Sequence, residues 1–171
     1  NIVRVEAVYD YAEIPTFQEQ QQEADDPRAA SRLVNGLAGG LHLGIDGRAL
    51  PLSLVGHRSR LLPGQAGLQT MRLELSLESE PLAATVHDAT YADTTYPDHL
   101  GWREVTVAAS GGARVSQSSV PARSISQRLS SYPSGMLTNP LAVRSARFRL
   151  VAGAAAAPRS GFVDGATSGF R

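Results

Sequence analysis

A chain of 171 residues and 18.1 kDa fits one domain with tails, and a domain of this size buries roughly 70% of the surface its unfolded chain exposes, so one sizeable core is possible. With 42% hydrophobic and 19% charged residues the composition excludes wholesale disorder, and 16 basic against 16 acidic residues leave no global field to gather nucleic acid. The absence of Cys excludes disulfides, thiolate metal sites and a cysteine nucleophile.

Every basic residue is Arg, which we read as codon bias in a GC-rich genome. No run of about 18 apolar residues occurs, and no signal peptide is seen at Asn1, so the chain is expected to be a mature or excised soluble piece.

IVRVEAVYDYAEI alternates from Ile2 to Tyr11, with Val3, Val5, Ala7, Tyr9 and Tyr11 on one face, and predicts a strand with one wet face. PTFQEQQQ begins at Pro15, a favoured first helical position, and predicts a short helix. Asp26 and Pro27 read as the N-cap and first turn of a second helix, RAASRLVNGLA, whose stripe is Ala30, Leu33, Val34 and Leu37; Gly39 and Gly40 stop it. From Leu41 the period becomes two. LHLGID, a turn at Gly47 and RALPLSLVGHRSRLL predict a hairpin.

After PGQAG comes the clearest strand, in which Met71, Leu73, Leu75 and Leu77 alternate with Arg72, Glu74, Ser76 and Glu78, so one face must meet a core. AATVHDATY and WREVTVAAS predict two more strands. PARSISQRLSSYP predicts a helix, because Ile125, Leu129 and Tyr132 fall at i, i+4 and i+7, and Pro133 ends it. VRSARFRLVA predicts the last strand, with a bulge near Ala146.

The pattern assigns residues 1–152 to one β-rich domain and residues 153–171, rich in Gly, Ala and Ser, to a linker or tail. The predicted fold is mainly β: an antiparallel β-sandwich, Ig-like, with two or three short peripheral helices, and an α+β sheet is the alternative.

Chemistry is sparse. The acidic, aromatic stretch DATYADTTYPDHLGWREV offers a candidate transition-metal set of His87, Asp88, Asp93, Asp98 and His99, since imidazole and carboxylate can share an ion. Against it, neighbours on a strand such as His87 and Asp88 point to opposite faces, and no two of the histidines 42, 57, 87 and 99 have the i, i+4 spacing of a helical zinc motif. Calcium-loop, nucleophile-elbow and phosphate-cradle patterns are missing, so no catalytic residue is assigned. Tyr91, Tyr96 and Trp102 read first as core aromatics closing the end of a sandwich, and second as a ligand platform. Arg103 and Glu104 should leave the chain on opposite faces, unpaired with each other.

Three groups of segments carry a family likeness: YDYAEIPTFQE; LHLGIDGRALPL with LLPGQAGLQTMRLEL; and DATYAD with GWREV. Together with SVPARSISQRLSSYPSGMLTNPLAVRSARFRL they resemble the extracytoplasmic N-terminal region of actinobacterial membrane proteins of the nickel/cobalt transporter type, over Ile2 to Val151. The resemblance implies an exported, non-enzymatic β-rich domain tethered to the cell membrane, with the tail leading to a membrane-embedded transport domain of the same polypeptide as partner. Its implied roles are assembly, partner contact or metal capture. The chain departs from that pattern in its N-terminus and in the TTYPDHL loop, so no binding residue is carried over. Two other readings stand beside it: an independent scavenger or sensor of nickel, cobalt or zinc, and a carbohydrate-binding or adhesion sandwich using the three aromatics.

Overall fold

Alternation in the first residues becomes strand β1, Arg4–Tyr11, which lies antiparallel to β5, Gln69–Ser79, with Tyr9 opposite Leu73 and Tyr11 opposite Met71. In this computed structural model, which describes residues 1–83, 85–99, 101–131 and 141–151, the chain is mainly β and forms two antiparallel sheets with two helices among the described residues. The three-stranded sheet runs β1-β5-β4, where β4 is Leu52–Pro63. The five-stranded sheet runs β3-β2-β6-β8-β7, with β2 Leu41–Ile45, β3 Arg48–Leu50, β6 Val86–Asp93, β7 Arg114–Ser116 and β8 Ser145–Val151. The sandwich class read from the sequence therefore holds.

The core follows from the period of two. Leu73, Leu75 and Leu77 are 2%, 0% and 1% exposed, and burying each such side chain contributes about 1.5–3 kcal/mol. With Tyr11, Met71 and Leu41 they form one cluster, closed by Val34 and Leu37 of helix α2, Ala29–Gly39. A second cluster, Ile45, Ala89, Val120, Ala146 and Phe148, fills the other half of the larger sheet, and Tyr91 packs against both. The opposite face of the small sheet is a charged ladder: Arg4 on Glu78, Ser76 on Glu6, and Arg72 forked onto Asp10 at 2.7 and 2.6 Å.

Helix α1, Glu13–Asp25, starts two residues before Pro15, which still falls in the first turn, where its missing N–H costs nothing. The fully buried Thr16 hydroxyl ties the helix to the Tyr11 carbonyl at 3.2 Å, and the Glu13 carboxylate accepts the Gln65 amide at 3.0 Å. Asp26 is not the N-cap expected of it: it ends α1, while Arg28 holds the N-cap position of α2 without a side-chain cap, and the Asp26 carboxylate only accepts the Arg28 amide at 2.8 Å just before the helix begins at Ala29. At Gly40 the chain passes so close to Thr95 that an added Cβ would stand 2.6 Å from its methyl group.

Four local expectations are corrected. Residues 48–62 are not one hairpin arm: β3 pairs with β2, and after Pro51, which cannot donate to a ladder, the chain crosses to pair with β5 in the other sheet. The register shift lies in β4 between Leu54 and Gly56, not near Ala146, where Thr90, Tyr91 and Ala92 meet Arg147, Ala146 and Ser145 without interruption. The slip in the pattern came from Val143, which precedes β8.

WREVTVAAS is not a strand: among the described residues a single bridge joins Arg103 to Ala142, and the Val107 amide goes to the Pro121 carbonyl. The expected helix at PARSISQRLSSYP is absent among the described residues. Gln127, Arg128 and Leu129 have φ of 50°, 60° and 64°, and the Ser124 and Ser126 hydroxyls turn to Glu104, the competition by which serine side chains displace helix. Tyr132, Pro133 and the predicted tail at 153–171 lie outside the described residues. Among the described residues no helix is long and apolar enough to cross a membrane.

Candidate functional site: a cleft along the first strand

β1 is an edge strand, and its register decides where its backbone points. The Ser79 amide donates to the Val3 carbonyl at 2.9 Å, so the ladder to β5 uses the odd residues 3 to 11. The N–H and C=O groups of Arg4, Glu6, Val8 and Asp10 therefore face away from β5, and no backbone group among the described residues pairs with them.

This edge opens into a cleft of about 1310 Å³ lined by residues 2–12 on one side and 101–110 on the other. The apolar side chains of Val115, Val143, Phe148 and Leu150 also line it. The run at 101–110 has the side-chain alternation of a strand, and Val105 and Val107 pack on the second cluster. Among the described residues, the backbone of Arg103 bonds to Leu141 and Val143 and that of Val107 to Pro121, not to β1.

Tyrosines line one end. The hydroxyls of Tyr11 and Tyr96 are 2.6 Å apart, Tyr9 and Tyr11 meet the Tyr96 ring edge-on at centroid distances of 6.5 and 6.1 Å, and His99 stacks on Tyr96 at 5.1 Å. Burial pushes the Tyr9 phenol up to about 12 and raises those of Tyr11 and Tyr91 as well, so all three stay neutral at ordinary pH. Tyr96 has a positive φ of 45°. It is held there by Arg103 and Arg144, which donate to its carbonyl at 2.6 and 3.2 Å, while the Asp93 carboxylate accepts the Thr95 amide and hydroxyl at 2.8 and 2.6 Å.

Arg103 and Glu104 diverge as their adjacency required. Burial pushes the Glu104 carboxyl up, but hydrogen bonds from Ser126, Ile125 and Ser124 outweigh it and leave the group below its ordinary value. Those bonds anchor residues 124–131, which continue to the outer face of the small sheet, where Arg72 donates to the Leu129 carbonyl at 3.1 Å.

The five residues of the predicted metal set are spread over different surroundings. His87 is 8% exposed; its Nδ1 lies 2.7 Å from Asp46, and its Nε2 is 3.1 Å from both the Ala83 carbonyl and the Thr85 hydroxyl. Asp88, on the other face of β6, takes Arg149 at 2.9 Å. Asp93 serves the Thr95 turn, Asp98 is exposed, and His99 lies on Tyr96. Among the described residues no three His, Asp or Glu side chains come together as a metal-holding group.

The closest pairing, His87 with Asp46, joins one predicted residue to one outside the set. Asp46 lies in a left-handed turn, with φ of 52° followed by 77° at Gly47, and its carboxylate also accepts the Asp88 amide at 2.9 Å. The hydrogen bond to Asp46, then that to Ala83, raises the His87 pKa, and the His87 bond lowers that of Asp46. An Asp-Gly turn was visible in the sequence; its meeting with His87 depends on the pairing of β2 with β6. Tyr91 and Tyr96 pack on the core, as their first reading expects, and together with Trp102 they line the cleft.

Compared with known proteins, the chain matches no family model, no curated protein and no solved structure.

Proposed function

We propose that this chain is a non-enzymatic accessory domain held outside the cytoplasmic membrane, contacting the membrane-embedded transport domain of a nickel/cobalt transporter-like protein during assembly or transport. The resemblance over Ile2 to Val151 supplies the setting, and the cleft along β1 is the observation that carries the contact role. Its walls are a strand edge, apolar side chains and neutral phenols, a lining suited to holding a polypeptide. Metal capture by the candidate set finds no support in the geometry, since His87, Asp88 and Asp93 each serve a different partner within the fold.

The test places a photoreactive amino acid at position 107, on the wall facing β1, in the membrane protein that carries this domain. Illumination should join the domain to the transport portion. Unchanged nickel and cobalt flux and unchanged assembly after deletion of residues 1–151 would remove the proposal.

A further inference from the structure

We infer that β1 receives an added strand: an extended segment of a partner polypeptide that enters the cleft, is apolar at alternate positions and carries Lys or Arg on the intervening ones. The inference names the kind of partner for the contact role proposed above, and rests on that reading only in taking the partner to be a protein.

Four outward donor and acceptor sets, on Arg4, Glu6, Val8 and Asp10, recur every second residue, which is about 6.6–6.8 Å along a strand. Only another extended backbone repeats donors and acceptors at that interval. β1 contains no Pro, its register with β5 has no bulge, and the charged side chains of Arg4, Glu6 and Asp10 are drawn across the sheet to Glu78, Ser76 and Arg72, away from the edge they would otherwise shield. Residues 101–110 stand across the cleft, so the edge opens on a bounded slot, and they direct their bonds elsewhere.

Side chains of an inserted strand would alternate between two environments. One set would meet Phe148, Leu150 and Val115, which favours apolar residues. The other would lie toward the charged face of the small sheet. The lining sets five carboxylates, Glu6, Asp10, Glu19, Asp93 and Glu104, against three guanidiniums, Arg4, Arg103 and Arg128, and so is acidic on balance; Glu6, Glu19 and Glu104 make no ion pair among the described residues, Glu6 and Glu104 being held by serine hydroxyls. That acidity selects a basic partner side chain. A second copy of this chain fits less well, because its β1 belongs to a sheet, and the wall at 101–110 occupies the space that sheet would need.

The test screens the 171-residue chain against a displayed library of random dodecapeptides and follows the selected peptides by calorimetry and hydrogen exchange. Selected sequences should alternate apolar with polar or basic residues, and binding should slow exchange at the amides of Glu6, Val8 and Asp10. Val8→Pro removes one outward N–H and leaves the β5 ladder intact, so it should weaken binding by about tenfold, the scale of one hydrogen bond.

If Val8→Pro fails to fold, the peptide carries the test. N-methylation at every second amide should abolish binding in one phase of the alternation and spare it in the other. The inference is overturned if no library peptide binds, if bound peptides leave the β1 amides exchanging as before, or if both N-methyl phases bind alike. A dimer that dissociates in Val8→Pro would also overturn it, by assigning the edge to a second copy. Peptide binding without cross-linking in the membrane protein would sink the transporter setting and leave the strand-addition mode standing; the reverse result would do the opposite.

Discussion

His87 is hydrogen-bonded through both ring nitrogens, and its bonds suit the imidazolium form. One N–H can donate to the Asp46 carboxylate and the other to the Ala83 carbonyl, so protonation adds a charge without leaving a donor stranded. The folded pKa is raised above the ordinary 6.5, so this histidine's contribution to stability is full below pH 6.5 and is lost as pH rises through the higher folded value. Asp46, with a depressed pKa, contributes above its ordinary 3.8 and loses that contribution as pH falls through the lower folded value. The pair therefore stabilises the turn most between about pH 4 and 6.5. Following the His87 ring protons by NMR, we expect titration above 6.5 in the native chain and a lower midpoint in Asp46→Asn. An unchanged midpoint would mean that the carboxylate does not hold the ring.

At the scale of elements, the two-residue turn between β2 and β3 shows what a short sequence word fixes. Asp-Gly with both residues left-handed is a type I′ geometry, matched to the twist of paired strands. Nothing lies within 4 Å of a Cβ built at Gly47, so Gly47→Ala meets no clash and the cost is backbone alone, about 1–2 kcal/mol, seen as a lower denaturant midpoint with unchanged slope. Gly47→Asn should cost less, because Asn tolerates this region. Equal stability of native and Gly47→Ala chains would contradict the turn geometry.

Such words made β1, α2, β5 and the turn legible, since each depends on residues close in sequence. The crossing at Pro51 was not, because alternation continues through it and only the pairing partner changes. The helical spacing of Ile125 and Leu129 misled for a related reason: Glu104, some twenty residues earlier, draws Ser124 and Ser126 out of any helix. The cleft was invisible as well. Val105 and Val107 carry the pattern of a strand, but a sequence cannot show that its neighbour β1 stands across a gap.

For the whole molecule, the central question is what makes two core clusters one cooperative body. The first joins the small sheet and α2 to Leu41 at the start of β2, and the second belongs to the far half of the large sheet and the segments at 105–120. Tyr91 packs against both, from a β6 position flanked by Leu43 on one strand and Ala146 on the other. Neither neighbour is large enough to replace the ring across the interface. Truncating it should therefore remove packing from both clusters together, at a cost of about 3 kcal/mol. We expect Tyr91→Ala to lower the denaturant midpoint and to separate two probes that coincide in the native chain. Trp102 fluorescence reports the cleft side, and far-UV circular dichroism reports both sheets. Tyr91→Phe keeps the ring and should stay within about 1 kcal/mol of native with coincident transitions. Coincident transitions in Tyr91→Ala would show that the sheets are coupled through other contacts, and that the cleft wall does not depend on this residue to stay joined to the core.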